Sequence, residues 1–189
     1  MYFEGNSATW EHQDSYYLDS EKIGAMTAGW LALEEIKADA GRFFICPESH
    51  KIDLGKQNIN NTIADNLDNY IKEVVSVIKS KNMIIKAPYM NAGEMLFWNS
   101  WTIHGSLNSQ SNTNSRSSIT IHAIPESHKF LQFHSRKKNL KTDDLGNSDI
   151  YRPKDQSKIM NRIVLKFETY FPNFFYWLKN KAIKHMINK

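Results

Sequence analysis

The stretch WEHQDSYYLDSE, residues 10–21, places a histidine and a carboxylate two positions apart near the start of the chain. On a β-strand, residues i and i+2 point to the same face, so His12 and Asp14 would stand side by side while Gln13 faces away. Such a pair is two-thirds of the facial triad of two histidines and one carboxylate, which binds Fe(II) and leaves coordination positions open. Alone it is a weak signal, because His-x-Asp often arises by chance.

The third ligand of such a triad has to come from elsewhere in the fold. The best candidate is His104 in WNSWTIHGS, residues 98–106, where it closes a strand-like run. It is followed at once by Gly105, whose missing side chain lets backbone or ligand approach closely. The alternative is a hydrogen-bonded histidine of the core or of a loop, which is the commoner role of an isolated histidine.

A buried cation is predicted twelve residues later, where Arg116 opens RSSITIHAI, residues 116–124. By strand alternation its side chain shares a face with Ser118, Thr120 and His122. If that face points into a barrel, the guanidinium needs an anionic partner, and its planar fork suits a carboxylate. A small dicarboxylate that also chelates the metal would satisfy both sites.

The remaining pattern predicts a mostly β protein with added helices. Strands are predicted at 24–36, 43–46, 83–88, 93–98, 116–124 and 130–135. Apolar residues at three- and four-residue spacing predict a helix over 66–79, PESHK at 47–51 predicts a turn, and 106–115 predicts a polar loop. Residues 136–157 predict a long loop, and 157–171 and 172–189 predict two helices, with Pro172 near the first turn of the second. We therefore expect a core over 1–135 and a polar loop and basic helical tail over 136–189, packing on that core.

Composition narrows the function classes. The 189 residues suit one domain, and no apolar run approaches the roughly 18 residues of a membrane span. The start of the chain does not resemble a secretory signal, and the single Cys46 excludes an internal disulfide and a cysteine zinc site, so a cytoplasmic location is expected. Residues 151–189 hold nine basic and two acidic residues, which indicates either a solvated basic helix face or contact with an anionic partner. No nucleic-acid-binding module is found.

These motifs together resemble the phytanoyl-CoA dioxygenase family over roughly residues 1 to 128. The matching segments, in order, are His12-Gln13-Asp14, GWLALEEI with Trp30, PESHK, GEMLFWNSWTIHGS and Arg116. The family consists of Fe(II)- and 2-oxoglutarate-dependent oxygenases on a double-stranded β-helix, a jelly-roll, cupin-like fold. Only eleven residues precede His12, so the resemblance also implies that the N-terminal part of the family's domain is missing here.

The resemblance implies roles for individual residues. His12, Asp14 and His104 would bind iron. Arg116, aided by Ser106, would hold the distal carboxylate of 2-oxoglutarate, and O2 would be the second cosubstrate. The expected reaction is hydroxylation of a small organic substrate with release of succinate and CO2. Related halogenases have Gly or Ala in place of Asp14, so the carboxylate favours hydroxylation.

Further residues are candidates for the walls of the site. The resemblance implies that Trp30 and Gln13 line the cosubstrate site, with Gln13 contributing from the flank. Trp98 and His122 are candidates for the substrate pocket, against the alternatives of a core tryptophan and a hydrogen-bonded strand histidine. Two other readings of the whole chain stay open: a non-redox, cupin-like metal-binding protein, and an inactive fragment with only an interaction role.

Overall fold

The structure, a computed structural model, describes residues 2–3, 8–52, 54, 63–111, 113–132, 136–138, 140–151, 155 and 157–187. The chain divides into two compact units, residues 1–137 and 138–189. The strands up to residue 132 are β1 Tyr2–Phe3, β2 Thr9–His12, β3 Leu18–Ser20, β4 Thr27–Ala32, β5 Phe43–Ile45, β6 Met95–Asn99, β7 His104–Ser106, β8 Ser118–Ala123 and β9 Phe130–Gln132. Later come β10 Arg136–Lys138, β11 Thr142–Asp144 and β12 Asp149–Tyr151; the helices are α1 Ile63–Ser80, α2 Ile159–Tyr170 and α3 Pro172–Ile187.

The largest sheet has the antiparallel order β1-β8-β4-β6. Strand β8 exposes apolar side chains and buries a polar one. Ile119 and Ile121 are exposed on one face, while Ser118 is fully buried on the other. The face that buries Ser118 and directs Thr120 and His122 to the same side thus places polar groups beside the apolar side chains of β4. The predicted strand over 116–124 is therefore confirmed for Ser118–Ala123, whereas Arg116 precedes the strand, so its predicted place on the strand face was wrong.

A second sheet has the order β2-β7-β5 and brings two predicted segments together. His12 is the direct partner of His104 across the β2–β7 pair, and Ile45 is the partner of His104 on the other side. Gly105 is required here, because a Cβ on it would lie 2.7 Å from the carbonyl oxygen of Thr9. The predicted close approach at this glycine is thus an approach of neighbouring backbone. A third sheet has the order β10-β9-β3.

Helix α1 confirms the helix predicted over 66–79 and extends to Ser80. Its apolar spacing buries Tyr70 and Val74 against Cys46, Leu54 and Ile103. A separate apolar cluster lies under the largest sheet and consists of Ala28, Trp30, Ala32, Ile36, Ala40, Met90 and Trp98.

Three local predictions were wrong or too long. Residues 83–88 are not a strand; within them Lys86 makes an isolated bridge to Ile45. The strand predicted over 24–36 is confined to β4, since the chain turns after Ala32. The predicted loop over 136–157 contains secondary structure, because β11 and β12 form an antiparallel hairpin that turns at Gly146 with a positive φ of 88°. The strand predicted at 130–135 is confirmed as β9, and residues 133–135 lie outside the described residues.

The second unit ends in the two predicted helices, α2 and α3, which contact each other. Their contact is aromatic: the ring of Phe167 lies 5.9 Å from that of Phe174 and 6.1 Å from that of Phe175, between ring centroids. The helix predicted to residue 189 is described to Ile187. That this tail packs on the core stays a prediction.

Candidate metal centre

The two predicted histidine ligands meet because they are cross-strand partners. His12 ends β2, His104 begins β7, and their ring centroids are 4.3 Å apart. The register of this pair shifts between Thr9 and His12, so the pairing is irregular just before the histidine. The two imidazoles therefore converge from neighbouring strands.

Asp14 reaches the same place by a route that differs from the prediction. The strand ends at His12, Gln13 is extended, and Asp14 begins a 3-10 helix, Asp14–Tyr16. The two residues are thus not on one strand face, and that part of the prediction was wrong. The turn nevertheless brings Asp14 Oδ1 to 3.8 Å from His12 Nε2 and to 3.4 Å from His104 Nε2. One ligand atom from each of the three residues lies within 4.8 Å of the others.

Backbone carbonyls fix which nitrogen each histidine turns toward the centre. His12 Nδ1 lies 2.8 Å from the carbonyl oxygen of Trp10, and His104 Nδ1 lies 2.8 Å from that of Thr102. A carbonyl only accepts, so each Nδ1 carries a hydrogen, and Nε2 is the nitrogen that faces Asp14 and would bind a metal once it carries no proton. This arrangement, in which the outer ring nitrogen is held by the protein, is usual for metal-binding histidines.

Electrostatics favour the protonation states that a metal needs. Burial lowers the pKa of His12 to about 4, and the neighbouring charge of His104 acts in the same direction. Burial alone would raise the pKa of Asp14, but the charges of His104 and His122 and their hydrogen bonds to the carboxylate hold it well below its usual range. At neutral pH His12 is therefore a neutral imidazole and Asp14 a carboxylate, as metal ligation requires.

A pH dependence of stability follows from His12. The unfolded chain takes up a proton at this histidine near pH 6.5, whereas the folded chain does so only near pH 4. The stability contributed by the neutral ring is therefore present above pH 6.5 and is lost as the pH falls towards 4, by about 3 kcal/mol. We expect denaturant unfolding of the metal-free protein to show this decline. His12→Asn should decline less over the same window, and an equal decline would contradict the burial of a neutral ring.

The turn that carries Asp14 is held from several sides. The backbone N–H of Gln13 donates to the hydroxyl of Tyr70 on α1 over 2.9 Å, and the N–H of Ser15 donates to the carbonyl of Ser100 over 3.0 Å. The side-chain amide of Gln13 donates to the carbonyls of Trp101 and Ile52 over 2.5 and 3.3 Å. The buried Gln13 therefore ties its own turn to the segment between β6 and β7.

Tyr70 offers a test of this support. Tyr70→Phe would leave the buried N–H of Gln13 without its acceptor, which costs about 1–3 kcal/mol. We expect that loss in the free energy of unfolding measured with denaturant. Tyr89→Phe removes a hydroxyl from a ring that is 70% exposed and serves as the matched control, with little change expected. Equal stability of the two variants would mean that the hydroxyl does not support the ligand turn.

The largest sheet supplies the opposite wall of the centre. Trp98 Nε1–H donates to Asp14 Oδ2 over 2.9 Å, and His122 Nε2 lies 3.5 Å from the same oxygen. Both residues are partners of Ala28 in β4, so they occupy one row across three strands. The structure thus brings both predicted pocket residues to the candidate ligand Asp14, Trp98 through a hydrogen bond that the sequence does not reveal.

Three of the predicted cosubstrate residues, Arg116, Ser106 and Trp30, are buried. Arg116 is 8% exposed and donates to the carbonyl of Gly41, whose positive φ of 72° and crowded surroundings only a glycine fits. Ser106 is buried and its Oγ accepts the N–H of Thr9 over 2.8 Å. Trp30 is buried in β4 and stacks on Phe43 with ring centroids 5.5 Å apart.

Ser118 adds a buried polar group. The sequence indicated it only because strand alternation predicted that its side chain shares a face with that of Arg116. Its side chain is fully buried at the start of β8, on the face that carries His122. Its Oγ has no hydrogen-bond partner among the described residues. A buried hydroxyl without a partner is costly unless a ligand or water satisfies it.

Comparison with known proteins decides the family. The sequence model described as phytanoyl-CoA dioxygenase (PhyH) matches residues 3–118, more than half of the chain. The chain belongs to the phytanoyl-CoA dioxygenase family. The comparison with curated proteins gives no match. Among the described residues, none of the helices is long and apolar enough to cross a membrane.

Solved structures are similar to this chain in fold. One is SnoK, a non-heme alpha-ketoglutarate-dependent carbocyclase from nogalamycin biosynthesis, at 15% identity and a TM-score of 0.54 over 71% of this chain. This chain spans about half of its length, 51%. A second is the epimerase SnoN in complex with Fe3+, alpha-ketoglutarate and nogalamycin RO, at 16% identity and a TM-score of 0.43 over 64% of this chain and 43% of that chain. A third is HygX from Streptomyces hygroscopicus with nickel, 2-oxoglutarate and hygromycin B, at 14% identity and a TM-score of 0.41 over 67% of this chain and 53% of that chain.

Proposed function

We propose that this chain is an Fe(II)- and 2-oxoglutarate-dependent dioxygenase that hydroxylates a small organic substrate, with release of succinate and CO2. The observation that carries the proposal is the convergence of His12 Nε2, His104 Nε2 and Asp14 Oδ1 in a member of the phytanoyl-CoA dioxygenase family. We further propose that the two sheets on either side of Asp14 are the two halves of a double-stranded β-helix, and that the protein is cytoplasmic.

The donor set fits iron. Two imidazole nitrogens and one carboxylate oxygen are the ligands of the facial triad of non-heme Fe(II) oxygenases, and three protein ligands leave positions for cosubstrates. The outer nitrogens of both histidines are already held by carbonyls, so the donors are arranged before a metal arrives. Bound iron would supply the oxidative chemistry with O2, and the protein would supply orientation and shielding.

The surroundings fit a dicarboxylate cosubstrate. Arg116 is a buried cation two residues before Ser118, whose buried hydroxyl has no partner among the described residues, and together they would donate to the distal carboxylate of 2-oxoglutarate. Ser106 would border that carboxylate, and Trp30 would form a wall of the pocket. Gln13, whose amide N–H groups are taken by two carbonyls, would act from the flank. A metal site for acid–base chemistry needs no such buried guanidinium.

Turnover of the cosubstrate tests this function without knowledge of the substrate. Oxygenases of this kind often consume 2-oxoglutarate slowly when no substrate is present. We expect succinate to form from 2-oxoglutarate in air with Fe(II), as followed by proton NMR. Formation should stop with His104→Ala, which removes one ligand. A folded, metal-loaded protein that forms no succinate with any small organic substrate supplied would contradict the proposal.

A further inference from the structure

We propose that Trp98 is a positioning residue of the metal centre, which holds Oδ2 of Asp14 so that the carboxylate binds the metal through Oδ1 alone. This inference rests on the proposed function, since it concerns the same centre. It assigns to Trp98 a role in setting metal affinity.

The two oxygens of Asp14 have separate neighbours. Oδ1 faces the two histidine ligands, 3.8 Å from His12 Nε2 and 3.4 Å from His104 Nε2. Oδ2 accepts the indole N–H of Trp98 over 2.9 Å and has His122 Nε2 at 3.5 Å. The carboxylate is therefore already divided between a ligand side and a protein side. A carboxylate whose second oxygen is engaged in this way presents one oxygen to a metal.

Packing fixes the indole that makes this bond. Trp98 is 5% exposed, and its ring centroid lies 4.8 Å from that of Phe43 and 4.9 Å from that of His104. In the sheet it is the register partner of Ala28, and Ala28 is in turn the partner of His122. The small alanine between them leaves both larger side chains room to reach the same oxygen.

The strength of the contact makes an effect on metal binding measurable. An N–H that donates to a carboxylate is roughly twice as strong as a neutral hydrogen bond, and here it is buried. Outer partners of metal ligands typically contribute about 10- to 100-fold in metal affinity. Trp98 is expected to act in that range, because it restricts the rotation of Asp14 and sets which oxygen faces the histidines.

The test is the affinity of the purified chain for Co(II), a spectroscopic substitute for Fe(II), measured without cosubstrate. Trp98→Phe keeps an aromatic ring against Phe43 and removes the N–H, so we expect the Kd to rise about 10- to 100-fold. Trp177→Phe is the control, because it removes an indole N–H from a ring that is 50% exposed on α3, and its Kd should equal that of the wild type. An unchanged Kd for Trp98→Phe would overturn the proposal.

A double-mutant comparison separates positioning from a general structural role. In an Asp14→Ala background the N–H has no carboxylate to hold, so Trp98→Phe should cause no further loss of Co(II) affinity. The same loss in both backgrounds would mean that Trp98 only supports the fold. Should Trp98→Phe not fold, benzothienylalanine at position 98 keeps the ring size and lacks only the N–H, and the same loss of affinity is then expected of it.

A metal-free measurement separates this inference from the proposed function. The chain has five tryptophans, and each gives one indole N–H resonance in a proton–nitrogen spectrum. Asp14→Ala should shift the resonance of Trp98 most, and an unshifted resonance would overturn the hydrogen bond. If the resonance shifts but the wild type binds no metal, the proposed function fails at the centre itself and the role of Trp98 in metal affinity fails with it. If the wild type binds metal and Trp98→Phe binds equally well, only the positioning role fails.

Discussion

Asp14→Ala is expected to reduce Fe(II) affinity by more than the roughly 10- to 100-fold that the loss of an outer partner costs. Asp14 is the anionic member of the proposed ligand set, and its Oδ1 lies 3.8 Å from His12 Nε2 and 3.4 Å from His104 Nε2. Without Asp14 the metal would lose a direct bond to a carboxylate oxygen and the negative charge that offsets its own positive charge. The remaining pair of neutral histidines is a weak site for a hard, dipositive ion.

Anaerobic titration with Fe(II), followed by calorimetry, measures this loss. Asp149→Ala is a matched control, since it removes an exposed carboxylate that accepts a hydrogen bond from the hydroxyl of Thr142 in the β11–β12 hairpin. We expect the control to bind iron as the wild type does. Near-wild-type affinity of Asp14→Ala would show that the metal, if bound, is held by other residues.

Arg116→Ala is expected to spare iron and to weaken 2-oxoglutarate strongly. Truncating one partner of a buried, hydrogen-bonded charge pair costs about 2–5 kcal/mol, which is roughly 30-fold to 4000-fold in Kd. Arg116 is 8% exposed, and burial lowers the pKa of its guanidinium. A charged hydrogen bond from a buried guanidinium to a carboxylate is a strong one, so the loss of Arg116 should act on the cosubstrate rather than on the metal.

A conservative variant sharpens the assignment of Arg116. Arg116→Lys keeps the charge but loses the planar fork, so its affinity for 2-oxoglutarate should lie between those of the wild type and Arg116→Ala. Both variants should bind Fe(II) as the wild type does when no cosubstrate is present. If cosubstrate affinity is the same in all three proteins, the clamp lies elsewhere.

The sequence predicted which side chains come together better than it predicted the geometry that unites them. His12 and His104 were found because their flanking motifs are specific, and they prove to be direct partners in an antiparallel pair. The strand that should have carried Asp14 ends at His12, because the turn depends on contacts with Tyr70 and Ser100 that are remote in sequence. Local periodicity does not contain such contacts.

The elements that were missed share a similar cause. Strands β11 and β12 have three residues each, too few to show a period of two, and the turn signal around Gly146 lay within a polar stretch. The hydrogen bond of Trp98 to Asp14 depends on the register of β6 against β4, which sets the row that faces the carboxylate. From its residue type alone, this tryptophan was a candidate for the substrate pocket, with a core tryptophan as the alternative.

The central claim is most directly tested by adding Fe(II) and then 2-oxoglutarate to the purified chain without oxygen, followed by visible absorption. We predict a weak charge-transfer band that appears only when Fe(II) and 2-oxoglutarate are both present, because the keto acid then chelates an iron held by His12, Asp14 and His104. The band should be absent with His104→Ala. A folded wild-type chain that shows no band with both added would contradict the account.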